Sequence, residues 1–170
     1  MAAVMEGRLA DLGSWTTEEC SIAKALDIVG TRSAVLILRE AYYGTRRFDG
    51  FARRVGITDA AAASQLRKLT EAGLLAKQPY QEEGKRTRHE YVLTQMGRDL
   101  LPAVLALMQW GDTYLQTGPA PLLLVDGATG APVRVQVRSE AGREIELNEL
   151  GVRLNESYVR QVRQRSGVPD

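Results

Sequence analysis

The side chains best equipped for chemistry in this sequence are cations, and they cluster. Residues 44–98 hold 11 Lys and Arg against 6 Asp and Glu, whereas residues 1–43 hold 4 against 6 and residues 99–170 hold 7 against 9. The 170-residue chain therefore sums to only +1 although its middle is five units positive. A cationic middle between acidic flanks suits a polyanion partner; a solvated charged face gives the same count, and charge alone leaves both open. Within the middle, Ser64, Gln65, Arg67 and Lys68 carry the hydroxyl, amide, guanidinium and ammonium groups that hydrogen-bond base edges or phosphates. Lys85, Arg86 and Arg88 gather around Gly84, where cations suit phosphate or minor-groove contact by releasing condensed counterions. Arg46, Arg47, Arg53 and Arg54 form a third group; several of them, Arg47 above all, can equally pair internally, for example with Asp49 or Glu40.

Other chemistry is thin. Cys20 is the single cysteine, which excludes an intramolecular disulfide and a multi-cysteine metal site within one chain. A lone thiol fits a reducing cytoplasm. His89 is the single histidine and leaves zinc no histidine-rich ligand set; it reads as a surface residue rather than a pH switch. With no P-loop, no Gly-x-Gly-x-x-Gly and no paired-carboxylate motif, no enzyme, cofactor or metal is expected. Residues 1–14 lack the long apolar run of a secretory signal, and no stretch of 18 or more apolar residues exists, so a membrane partner is not expected. The chain is 44% apolar and 25% charged, the balance of a globular protein rather than a disordered one.

These groups need elements to position them. Helical spacing starts near Thr16, with Thr16 or Thr17 as cap, Glu18 and Glu19 in the first turn, Ile22, Leu26 and Val29 on one face, and Gly30 as the stop. A second helix is predicted over Arg32–Tyr43, burying Val35, Leu36, Leu38 and Ala41, and a third over Asp49–Val55 with Phe48, Phe51 and Val55 inward. Gly56-Ile57-Thr58-Asp59 is a tight turn into a helix over Asp59–Ala72. On a wheel of about 100° per residue, Leu66, Leu69 and Ala62 share one face and Ala63 sits at its edge. Ala60, Ser64, Arg67, Lys68 and Glu71 share the other face, with Gln65 at the margin. Helix, glycine turn and polar second helix form a helix-turn-helix signature.

After Gly73 the period changes to about two. Leu74–Gln81 and Arg86–Leu93 read as a hairpin whose tip is cationic. Thr94 caps a long helix predicted over Gln95–Leu115, about 30 Å in length and bent at Pro102. Its apolar content exceeds what closing a small core needs, so a face is expected against another chain. Gly118-Pro119-Ala120-Pro121 reads as a linker, separating a domain over 1–117 from a small β-rich extension over 122–170 that ends in an Arg-rich polar tail from Asn155.

Three groups of residues carry a family resemblance. They are Cys20-Ser21-Ile22-Ala23, Leu26 to Gly30 and Leu36-Ile37-Leu38-Arg39-Glu40-Ala41; then Arg47-Phe48, Phe51, Gly56-Ile57, Leu66, Leu69 and Glu71-Ala72-Gly73-Leu74-Leu75; then Tyr91-Val92-Leu93-Thr94 and Gly97-Arg98-Asp99-Leu100-Leu101-Pro102. Together, from about Cys20 to Leu115, they resemble the HxlR family of bacterial winged-helix transcription regulators. The resemblance implies an α+β winged helix-turn-helix with a long C-terminal dimerisation helix, here followed by a small β-rich appendage. It implies a cytoplasmic, nucleoid-associated homodimer on double-stranded operator DNA, acting as a repressor or activator, with repression the expected sign. The DNA-binding residues it points to are Thr58, Asp59, Ala60, Ser64, Gln65, Arg67 and Lys68 with Lys85, Arg86 and Arg88 of the wing. The dimer contact falls to the first and last helices, at Ile22, Leu26, Leu101, Leu105, Met108, Trp110 and Tyr114. Some relatives use a cysteine at the Cys20 position to sense oxidants or electrophiles, and others keep it for packing. A helix N-terminus favours the thiolate form of a cysteine, and Glu18 and Glu19 oppose it. Trp15, Tyr42, Tyr43, Trp110 and Tyr114 would line an effector pocket between subunits or build the dimer core.

Two departures stand out. Ala60-Ala61-Ala62-Ala63 replaces larger polar residues at the start of the recognition helix, leaving methyl groups to meet thymine methyls and keeping open a protein-interaction module without DNA binding. In the tail, Asp126-Gly127-Ala128-Thr129-Gly130 and Arg138-Ser139-Glu140-Ala141-Gly142 resemble the two turns of a zinc ribbon that has lost its ligands.

Overall fold

The computed structural model describes residues 2–10, 18–81, 83–84 and 86–166. They form two compact units: Ser21–Val135, and a second built from the N-terminal residues up to Cys20 together with the segment from Gln136 onward.

In the larger unit, α1 (Ser21–Val29) is followed by α2 (Arg32–Tyr42). Thr16 and Thr17 lie outside the described residues. Glu18 and Glu19 form a turn, so the helix begins later than its spacing suggested. Thr31 caps α2, its Oγ1 accepting from the Ala34 amide at 3.1 Å. α3 (Phe48–Val55) ends at Gly56, whose φ of 70° is a left-handed conformation that strains residues with a Cβ. Thr58 then caps α4 (Asp59–Glu71), its Oγ1 accepting from the Ala61 amide at 3.2 Å.

These helices close on one core: Ala34, Ile37 and Leu38 of α2, Phe51 and Val55 of α3, and Leu66 and Leu69 of α4, with Leu74 and Leu75 beneath. Burying each large side chain contributes about 1.5–3 kcal/mol. Leu38 is buried as expected, but Val35, Leu36 and Ala41 are only half-buried, since the core face of α2 continues through Ala34 and Ile37. The same face carries Glu40, 2% exposed.

β2 (Leu75–Tyr80) and β3 (Arg88–Leu93) pair antiparallel from Leu75 opposite Leu93 to Tyr80 opposite Arg88. Tyr91 anchors this hairpin: its ring meets Phe51 edge-on at 6.1 Å and its amide donates to the Arg46 carbonyl at 2.8 Å. Burial raises the Tyr91 hydroxyl's pKa above its ordinary value.

The single helix expected over Gln95–Leu115 is two. α5 (Gln95–Asp99), capped by Thr94, ends at Leu100, where α6 (Leu101–Tyr114) begins. Pro102 explains the break: it has no N–H to offer the Arg98 carbonyl, and in the first turn of a new helix that loss costs nothing. α6 has 14 residues, about 21 Å. Gly97 of α5 is buried because the chain passes close by: a Cβ there would lie 2.2 Å from the Leu74 carbonyl oxygen.

Residues 122–135 group with the helical unit rather than beginning a separate appendage. Val125 bridges Pro132, and the Gln109 side chain binds the Val135 backbone at both its amide (3.0 Å) and its carbonyl (3.4 Å). In the smaller unit β1 (Val4–Met5) pairs parallel with β4 (Gly151–Val152). The Arg-rich polar tail is helical: α7 (Glu156–Ser166) follows Asn155, whose Oδ1 accepts from the Ser157 amide at 2.9 Å. Among the described residues no helix is long and apolar enough to cross a membrane.

Candidate nucleic-acid interface

α4 is held from below and open from above. Ala62, Gln65, Leu66 and Leu69 are buried, while Asp59, Ala60, Ala61, Ala63, Ser64, Arg67, Lys68 and Glu71 are exposed. Thr58, at its cap, is exposed as well. This corrects one sequence expectation. Gln65 is only 7% exposed, and its Oε1 accepts from Thr31 Oγ1 at 3.4 Å, so its amide serves the α2 cap rather than a base edge. At the margin of the wheel, Gln65 went inward because the start of α2 packs there. Ala63, assigned to the edge of the apolar face, faces solvent. Arg67 lies 3.9 Å from Glu71, an exposed i,i+4 pair of the kind worth little.

The hairpin extends beside α4. Arg86 and Arg88 are exposed; Lys85 lies outside the described residues. His89 is exposed on β3. The loop before α3 is tied to the hairpin by Arg46, 3.3 Å from Glu90, and by the Arg47 guanidinium, 4.6 Å above the Tyr80 ring. Arg47 thus stacks on an aromatic ring.

The sequence offered Glu40 as an internal partner for these arginines, and Arg54 takes it. Glu40 thereby links α2 and α3. Its carboxylate accepts from Arg39 at 2.7 Å and from Arg54 Nε, with Thr45 Oγ1 at 3.4 Å. Burial alone would raise this carboxyl, but hydrogen bonds from Arg54 and Arg39 and their charges outweigh it and hold the group below the usual glutamate value. A glutamate on the apolar face of a helix was the signal available.

The proposed dimer residues are apolar and open. α1 buries none of its residues; Ile22 is 71% exposed and Leu26 56%. On α6, Trp110 and Tyr114 are exposed with ring centroids 5.8 Å apart, and Leu101, Leu105 and Met108 are half-buried. A cleft of about 380 Å³ lies between α2 and α6, lined by Val35, Leu36, Tyr42, Leu101, Leu105 and Met108 among others. Tyr42 reaches past it to donate to the Gly97 carbonyl at 2.6 Å, and Tyr43 lies 3.8 Å from the Met108 sulfur. Trp15 lies outside the described residues. Cys20 is half-buried directly before α1. Among the described residues no three potential metal ligands gather.

A helix, a glycine turn, a capped and exposed second helix and a two-stranded wing define a winged helix-turn-helix module. The HxlR-like helix-turn-helix family profile matches residues 28–119, and the chain belongs to that family. It is 48% identical over 101 residues to an uncharacterized HTH-type transcriptional regulator of Mycobacterium tuberculosis H37Rv, a match covering 59% of this chain and 63% of that protein. The chain thus spans less than two thirds of that relative's length. Among solved structures, that of PA1607, described as a candidate transcription factor, is 33% identical with a TM-score of 0.71 over 81% of this chain and 95% of that one. The redox regulator HypR in its oxidized form is 30% identical with a TM-score of 0.51 over 55% of this chain and 96% of that one.

Proposed function

We propose that this protein is a transcription regulator that binds operator DNA as a homodimer and that represses its targets. One observation carries the reading: α4 rests on buried Leu66 and Leu69 and turns an exposed, capped face outward beside the arginines of the wing. A major groove about 12 Å wide admits one such helix. Ser64 donates and accepts at base edges, Arg67 and Lys68 reach bases or phosphates, and Arg86 and Arg88 grip the backbone. Thr58 sits at the entry, where the helix N-terminus favours a phosphate, and the Asp59 carboxylate is an acceptor suited to a cytosine amine rather than to the backbone.

The dimer follows from the apolar faces of α1 and α6, with Ile22, Leu26, Leu101, Leu105, Met108, Trp110 and Tyr114 meeting a second copy. Two-fold symmetry would set the recognition helices about 34–36 Å apart, one turn of the duplex. The cleft between α2 and α6 is the site for a small-molecule effector, and Cys20 the site for a thiol-reactive one. The protein acts without enzymatic activity and in the cytoplasm, at the nucleoid.

Retardation of native promoter fragments at low salt tests the reading. Specific fragments should shift, and Arg67→Ala with Lys68→Ala should release them. The alanine-rich start of α4 favours an interaction module instead, which predicts no shift of any fragment.

A further inference from the structure

The four arginines before and along α3 have unequal roles. They border a shallow cleft of about 380 Å³ with Gly44, Thr45, Asp49, Gly50 and Glu90. Arg54 is committed to buried Glu40, and Arg47 lies over the Tyr80 ring. Arg46 and Arg53 differ. Arg53 pairs with Asp49 at 3.9 Å with both side chains exposed, and Arg46, itself 59% exposed, reaches the half-buried Glu90 at 3.3 Å. Such pairs contribute little and give way to a stronger anion.

Resting on the DNA-binding reading above, we propose that this cleft is a second backbone grip: Arg46 and Arg53 exchange Glu90 and Asp49 for a phosphodiester of the operator, outside the base pairs read by α4. The first helix of a helix-turn-helix crosses the DNA backbone in this manner, and the wing strand carrying Glu90 lies alongside. Arg54 and Arg47 shape the cleft without touching DNA. The two carboxylates act as internal competitors that keep the grip weak on any polyanion α4 does not also engage.

The test is the salt dependence of operator affinity for the full chain. Each phosphate contact contributes a slope of about −0.9 in log K against log salt, which is about fivefold in affinity at 0.15 M salt and about thirtyfold for two subunits. Arg53→Ala and Arg46→Ala should each weaken binding by up to about thirtyfold and flatten the slope by about 1.8. Glu90→Gln should tighten binding several-fold to specific and random duplexes alike. Arg54→Ala should change urea stability and leave the slope as it was. Unchanged slope and affinity in both Arg46→Ala and Arg53→Ala, with wild-type binding intact, would overturn the proposal. Loss of all wild-type binding would instead remove the regulator reading beneath it. Inorganic phosphate binding that needs Arg53, with no change in DNA slope, would also overturn it and assign the cleft to a small phosphorylated ligand.

Discussion

Replacing Glu40 by alanine should loosen the joint between α2 and α3. The carboxylate of this residue, 3% exposed at its side chain, takes charge-assisted hydrogen bonds from Arg39 and Arg54. In general such bonds are worth about 1.5–3 kcal/mol each. Here the arginine side chains are 36% and 51% exposed, so water re-solvates them when the carboxylate goes, and each bond falls to about 1 kcal/mol. The sum, about 2 kcal/mol, corresponds to about 4–8 °C in Tm for a chain of this size. The effect depends on pH. Folding holds the carboxyl below its ordinary 4.5, so its contribution is full above that value and is lost as the pH falls through the lower folded value. Urea and thermal unfolding, followed by far-UV circular dichroism, should show wild type and Glu40→Ala furthest apart near neutral pH and drawing together as the pH falls below 4.5. A shift under about 1 °C at pH 7, or a gap that persists unchanged to pH 3, would refute the assignment of Glu40 as a charged joint.

Three further outcomes follow from single positions. Gly97→Ala should cost about 3 kcal/mol by urea unfolding, because its Cβ would lie 2.2 Å from the Leu74 carbonyl oxygen, a backbone atom that cannot swing aside. Replacing thymine by uracil in the operator half-site should weaken binding about fourfold for each methyl that meets exposed Ala60, Ala61 or Ala63, measured by fluorescence anisotropy; equal affinity for the two duplexes would deny these alanines a role in reading bases. Cys20→Ser should leave operator affinity intact and abolish its response to diamide or a quinone, read as the fraction of promoter fragment retarded before and after treatment.

Legibility in the sequence followed how local each determinant was. Gly56 and Thr58 act through their own backbone and side chain, so the turn into α4 was readable from four residues. Leu66 and Leu69 fell on the core face by spacing alone. Gln65 did not, because its burial depends on where Thr31 and the α2 cap pack, and a wheel holds no neighbour. Pro102 carried its information plainly, but a bent helix and two helices share one pattern; the α5–α6 break is settled by Leu100 capping both. The Arg-rich tail was legible only as polar, with no element assigned, although Asn155 supplies the start of α7. Segment 122–135 joins the helical unit through Gln109, a contact spanning 26 residues that no local pattern announces. Among the arginines, charge count marked the region, and only the distances to Glu40, Tyr80, Glu90 and Asp49 separated structural from available ones.

The central claim is tested most directly by footprinting the full chain on a retained promoter fragment while measuring its mass in solution. Two chains per duplex, protecting two half-sites about one helical turn apart on one face, with protection lost in Arg67→Ala plus Lys68→Ala, is the predicted result. A strictly monomeric protein that protects no fragment even at low salt would contradict it.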